Sequence, residues 1–325
     1  MNENPQRADG PTPHRYPRRL WPINPADPVS QLSERRPTLA GTGWAPANST
    51  IEYRFFRVSW PEGALLVDLI WRRRAASAEV RVSCYQNGVA AVHRSVEERE
   101  PDLPNTGPIG GCRLDQHAST GSVGPVWWDL RFHPDQREFS VPPGPLRWSG
   151  ALDLSLVSRP ACAITGRIGV DGVEYRPTEQ PAMTCHYWGR NLPSQWVWLS
   201  GNDFDRPGTG VEIGLIRSRL WGARVPLPRA GYAWLTTDLG QRLVVSPITG
   251  LVRCHGDRSG TAVTVTVHAP RGGFSLHAQA APESFVDLGE AIVQTLHARC
   301  RIRLPSGRTT STDRAALEFR GDRPR

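Results

Sequence analysis

Lysine is absent from this chain of 325 residues, whose 39 basic side chains are all arginine. That excludes Schiff-base enzymes, a pyridoxal-phosphate anchor and the lysine of a phosphate-cradling P-loop. The six cysteines (Cys84, Cys112, Cys162, Cys185, Cys254, Cys300) are scattered, with no Cys-x-x-Cys pair. Zinc is therefore not expected, and reduced thiols in a cytoplasmic protein are. No stretch approaches the roughly 20 apolar residues of a membrane helix. The arginines between Met1 and Arg19 lead into no apolar segment, so no signal peptide is expected either. Histidines show no close pairing, no Gly-x-Ser-x-Gly elbow occurs, and no Gly-x-Gly-x-x-Gly turn joins a strand to a helix. Metal, triad and dinucleotide chemistry thus lack their usual signatures.

Charge is present in excess of one sign. Against 31 acidic residues the arginines leave a formal charge of +8. Their only dense cluster is Arg72-Arg73-Arg74, and no helix-turn-helix, finger or RNP-like motif accompanies it. A solvated basic surface is expected rather than a nucleic-acid groove, and an anionic small substrate is compatible with it.

The remaining signal has a period of two residues, that of a β-strand with one buried face. Phe274, Leu276, Ala278 and Ala280 share one face, against Ser275, His277 and Gln279. Ile292, Gln294, Leu296, Ala298, Cys300, Ile302 and Leu304 form one side of a long strand whose other side carries Arg299, Arg301 and Arg303. Val80, Val82 and Cys84 alternate with Arg81, Ser83 and Tyr85 and run into Asn87-Gly88, a hairpin turn. Turn signals recur at Pro61-Glu62-Gly63, Asp171-Gly172, Asp205 to Gly208 and Gly272-Gly273, the spacing of an all-β sandwich or barrel. The best helical segment, Pro282 to Gln294, contains Gly289 and reads as a short turn at most. We expect an N-terminal arm over residues 1–30, a first β domain over 31–180 and a second over 181–325.

The densest constellation runs from Cys185 to Phe204. Gly189 to Pro193 reads as a turn and Trp196 to Asn202 as a strand, with Trp196, Trp198, Ser200 and Asn202 on one face. Two indoles followed by small polar groups suit either the wall of an apolar cavity or the filling of a barrel core.

The pattern His-x-Trp-Gly-x-x-x-Pro-x-x-Trp-x-Trp, from His186 to Trp198, resembles the tocopherol-cyclase and carotenoid-1,2-hydratase-like (AttH-like) superfamily, which also includes lipocalin-like Diels–Alderases. The segment Pro125 to Phe132 resembles that family's Trp-centred strand, and Phe285 to Leu304 its closing strand. The resemblance implies two tandem calycin-like or lipocalin-like β-barrels, a ligand cavity between or inside them, and no cofactor. Relatives carry Asp-His-Asn-Trp-Gly where this chain has Cys185, His186, Tyr187, Trp188 and Gly189. A thiol is a poor acid at neutral pH, so proton-initiated chemistry needs another acid. Asp203, Asp205 and Glu212 follow the motif, Asp129 lies in the Trp-centred segment, and Glu52 lies in a strand that weakly matches a Glu-Trp-Trp-Tyr segment of relatives.

These readings lead to a cofactor-independent cyclase that folds a hydrophobic polyene or prenylated intermediate for cycloaddition or prenyl cyclisation. The alternatives are an isoprenoid hydratase or proton-initiated isomerase, and a lipocalin-like carrier without turnover. Catalytic candidates are His186, Tyr187, Asp129 and Asp203. Substrate-binding candidates are Trp128, Trp188, Trp196, Trp198, Asn202, Trp221, Trp234 and Tyr232. Any cation polarising a substrate carbonyl must be an arginine, such as Arg190 or Arg217. The expected partner is a hydrophobic small molecule, with no nucleic acid and no membrane span.

Overall fold

The computed structural model describes residues 49–99, 107–133, 138–141, 154–217, 228–247, 249–257, 260–270 and 272–321. The expected N-terminal arm, the Pro-rich stretch after Val141 and Trp221 lie outside the described residues. Within them the regular structure is strand, apart from two single-turn 3-10 segments at Arg73–Ala75 and Pro282–Ser284. No described helix is long and apolar enough to cross a membrane.

The strands fall into two antiparallel sheets, a half-barrel and a nearly closed barrel. The first sheet contains β1 (Ile51–Trp60), β2 (Gly63–Arg72), β3 (Ser77–Gln86), β4 (Val89–Glu98), β5 (Arg113–Leu114), β6 (Ala118–Val123), β7 (Val126–His133), β8 (Phe139–Val141), β9 (Leu154–Val170), β10 (Val173–Tyr175) and β11 (Gln180–Gly189). Its order is β4-β3-β2-β1-β11-β9-β7-β6-β5, with β8 and β10 pairing to β9. The second contains β12 (Gln195–Gly201), β13 (Gly210–Arg217), β14 (Ala230–Thr236), β15 (Arg242–Val245), β16 (Leu251–Gly256), β17 (Ala262–His268), β18 (Phe274–Gln279), β19 (Val286–Gly289), β20 (Ile292–Arg303) and β21 (Thr309–Arg320). Its order is β15-β14-β13-β12-β21-β20-β18-β17-β16, with β19 pairing to β20. Because β11 is hydrogen-bonded between β1 and β9, the sheets divide between Gly189 and Gln195, whereas the sequence places the division at residue 181.

Turn chemistry sets the hairpins. Asn87 and Gly88 have φ of 50° and 90°, and Asp171 and Gly172 have 49° and 80°. Two successive residues at positive φ match the right-handed twist of the strands they join.

Each sheet encloses its own apolar interior. Phe56, Val58, Trp60, Leu69 and Trp128 fill the first, and Leu199, Ile213, Val265, Ile302 and Leu317 fill the second. A third cluster lies between the sheets, where Leu66, Met183, Cys185, Trp198, Tyr232 and Trp234 meet. Strands at this junction are therefore buried on both faces, which explains the run Leu65 to Trp71, buried throughout and apolar except for Asp68.

The single face expected along Ile292 to Leu304 is broken. The pairing of β20 with β21 shifts register between Thr295 and Ala298. Before the shift, Gln294 and Leu296 face the first sheet; after it, Ala298, Cys300 and Ile302 face the barrel interior. One extra residue in a strand exchanges its faces. At the break, His297 stacks on Tyr85 of the other sheet, with ring centroids 4.2 Å apart.

Candidate functional site

The third cluster opens into a cavity whose walls are the outer faces of the two sheets. On the first, the register aligns Ser158, Cys185, Phe55, Asp68 and Arg81 across β9, β11, β1, β2 and β3. The next row holds Leu156, Tyr187 and Tyr53. On the second, one row runs Trp234, Glu212, Ser200 and Ala316 across β14, β13, β12 and β21. The next runs Tyr232, Gly214, Trp198, Glu318 and Gln294. Two carboxylates thus share a wall with two indoles, because Trp196 follows Trp198 on the same face of β12.

Glu212 is fully buried. It accepts hydrogen bonds from Ser158 Oγ at 2.5 Å, Tyr232 OH at 3.2 Å and Trp198 Nε1 at 3.4 Å. All three donors are neutral. Burial pushes Glu212 up to about 7, against the lowering effect of those hydrogen bonds. Glu318 accepts from Trp196 Nε1 and Gln294 Nε2, both at 2.6 Å, and burial carries it to about 7 as well, opposed by the nearby Arg81 charge. Opposite them Arg81 pairs with Asp68 at 2.9 Å, both side chains nearly enclosed. Gly214 makes room for the Tyr232 ring, which would stand 2.2 Å from a Cβ at that position. The space between the walls is about 110 Å³ and is lined by Tyr53, Phe55, Tyr187, Trp196, Trp198 and Tyr232 together with the acids. A water needs roughly 10–15 Å³ of such space, so the cavity admits the reacting end of a small molecule.

The sequence candidates distribute unevenly around this cavity. Trp196, Trp198, Tyr187 and Tyr232 line it. Ser200 and Asn202 share the indoles' face but bind the sheets together: Ser200 Oγ meets Met183 Sδ at 3.0 Å, and Asn202 Oδ1 accepts from Arg57 Nη1 at 3.4 Å. Trp234 packs within the junction without lining the cavity. Trp128 belongs to the first interior, where its Nε1 donates to Ser119 Oγ at 2.8 Å. His186 and Trp188 lie on the opposite face of β11 from Cys185 and Tyr187. There His186 Nε2 donates to Glu52 at 2.8 Å and its ring lies against Trp188, with centroids 4.8 Å apart. Asp129 is exposed beside Arg167, and Asp203 pairs with Arg314 at 2.8 Å, both away from the cavity. The charged groups that do reach it include Glu212, which the sequence offered among the alternative acids, and Glu318, Asp68 and Arg81, which it did not single out. Each of the three acids is a lone charge in an apolar strand run (Val67-Asp68-Leu69, Val211-Glu212-Ile213, Leu317-Glu318-Phe319), a signal that was present. Among the described residues no three His, Cys, Asp or Glu side chains cluster as metal ligands would.

No family model and no curated protein matches this sequence. Solved structures do. An AttH-assigned protein of Nitrosomonas europaea superposes with a TM-score of 0.55 at 12% identity, covering 88% of this chain and 99% of its own. This chain has the AttH-like, lipocalin-like fold. Kievitone hydratase of Nectria haematococca shares that AttH-like fold, with a TM-score of 0.57, 10% identity and coverage of 88% and 94%. CghA does so with 0.51, 11%, 86% and 90%. At these identities the likeness is one of fold.

Proposed function

We propose that the cavity between the sheets is the active site of a cofactor-independent enzyme acting on a hydrophobic, unsaturated small molecule. In this reading the neutral carboxyl of Glu212 starts prenyl cyclisation or hydration by protonating an electron-rich double bond. The observation that carries it is Glu212 itself: fully buried, hydrogen-bonded only by neutral donors in the contacts above, and raised to about 7 beside two indoles. A carboxyl near the working pH keeps a protonated fraction and still transfers its proton. Protonation leaves a cation on carbon, which the faces of Trp196 and Trp198 stabilise by roughly 0.5–2 kcal/mol each. Ring closure by an internal hydroxyl or alkene, or attack by water, quenches that cation. The proton then released passes to the carboxylate of Glu212 or of Glu318, across β12. Tyr53, Tyr187 and Phe55 hold the chain of the substrate in its reactive fold. Membership of one fold with a hydratase supports the reading.

The test is incubation with a panel of prenylated phenols and linear polyenes in deuterated water. Acid initiation places one solvent deuterium on carbon, with unchanged composition for cyclisation or the gain of one water for hydration, and Glu212→Gln abolishes it. A cyclised product without solvent deuterium would instead mark a cycloaddition. Ligand binding with no product from any member would mark a carrier.

A further inference from the structure

The inner cavity does not end at its apolar walls. Leu192 and Pro193, from the turn between β11 and β12, line both it and a second, open chamber of about 650 Å³. Four arginines border that chamber, Arg72, Arg74, Arg190 and Arg320, against the single carboxylate of Glu290. Arg320 stands at the doorway: its guanidinium lies 5.1 Å from the ring centroid of Trp196, the indole that lines the inner cavity. It is fixed there by Nη1 donating to the Pro193 carbonyl at 2.8 Å and Nε donating to the Glu290 carbonyl at 3.2 Å. Arg72 Nη2 reaches the Glu290 carboxylate at 3.1 Å. Arg72 is shared with Glu79, whose carboxylate its Nη1 meets at 2.7 Å, so Glu290 answers Arg320 and only part of Arg72, while Arg74 is exposed and Arg190 half-buried at the rim. The turn that carries Glu290 is strained. Gly289, Glu290 and Ala291 have φ of 73°, 54° and 58° in succession, and two of them bear side chains. Successive residues at positive φ are what the two-residue turn between β19 and β20 requires, as at Asn87-Gly88, and here the turn adopts them with side chains in place of glycine. Gly321 N–H, donating to the Ala291 carbonyl at 3.1 Å, ties this turn to the end of β21.

We infer that this chamber receives an anionic end group, a carboxylate or a phosphate, of a substrate whose apolar part occupies the inner cavity. The inference rests on the proposed function for the location of the apolar part, and it narrows the substrate class to amphiphiles with a charged terminus. Guanidinium forks match both anions, and in a chamber open to solvent the attraction weakens with salt.

The test uses the full chain and three probes of one isoprenoid length, farnesol, farnesoic acid and farnesyl monophosphate, titrated by tryptophan fluorescence. Both anions are expected to bind about tenfold more tightly than the alcohol at low salt. The advantage should shrink in high salt and in the Arg74→Ala/Arg190→Ala double variant, while farnesol affinity and thermal stability stay unchanged. The tighter of the two anions identifies the end group. Equal binding of alcohol and anions, or an advantage that survives in the double variant, would overturn the inference while leaving the cavity intact. Failure of all three probes to bind would overturn both the cavity reading and this inference.

Discussion

Two buried glutamates stand on either side of the first sheet, and their neighbours give them different work. Glu52, inside that sheet, meets the Arg54 guanidinium at 2.9 Å and His186 at 2.8 Å. Arg54 in turn lies 5.4 Å from the Trp71 ring centroid. Glu212, across the junction, meets a serine, a tyrosine and an indole, and its raised pKa keeps a proton available. A carboxylate held by a guanidinium and an imidazole fixes structure, and a buried carboxyl held by neutral donors is equipped to transfer a proton. The motif histidine, conspicuous in the sequence, belongs to the first kind of site.

The sharpest way to break this contrast is at the glutamates themselves. Glu212→Gln should lower turnover by roughly 10²–10⁴-fold while leaving ligand binding and the melting temperature near wild type, measured by product formation, fluorescence titration and calorimetry. Glu52→Gln should do the reverse. It weakens the buried ion pair with Arg54 and costs about 2 kcal/mol of stability in denaturant unfolding, with unchanged turnover per folded molecule.

pH separates the two regions by sign. Glu212 and Glu318 have folded pKa values raised above their unfolded ones, so the native state holds more protons than the unfolded state between about 4.5 and 7. Their contribution to stability therefore falls as pH rises through that window, and turnover that needs protonated Glu212 falls as pH passes about 7. His186 has its pKa lowered, chiefly by burial, so its contribution is present above the unfolded value of 6.5 and is lost as pH falls below it. Melting curves of wild type, Glu212→Gln and His186→Gln across pH should show the high-pH loss reduced in the first variant and the low-pH loss reduced in the second.

Smaller effects test the walls. Gly214→Ala should displace the Tyr232 ring from Glu212 and destabilise by about 1–3 kcal/mol, with a drop in turnover larger than its effect on ligand binding. Asp129→Asn, on the exposed face of β7, should change stability by less than about 0.5 kcal/mol and leave turnover alone. A large loss there would move the catalytic carboxylate out of the junction.

Much of this was legible in the chain. The alternation at Phe274 to Ala280 and the Asn87-Gly88 turn stated their own conformations, since side-chain direction and positive φ are local properties. Trp196 and Trp198 on one face followed from the same alternation. The site was less legible because its two halves come from different sheets. Ser158 and Glu212 are 54 residues apart and meet at 2.5 Å. Nothing local distinguishes Cys185 and Tyr187, which face the cavity, from His186 and Trp188, which face away from it.

What the sequence determined by itself was a β protein without lysine chemistry, with its turns in place and lone acids set in apolar strands. Which face of each strand became an interior, and which became the wall of a shared cavity, was decided by the packing of one sheet against the other. A period of two says which residues share a face, but both faces of a junction strand are dry. The shift in β20 between Thr295 and Ala298 exchanges those faces part-way along one strand. Only the tertiary structure could then bring Glu212 into a site where burial raises its pKa, because burial belongs to the assembled sheets and to no segment alone.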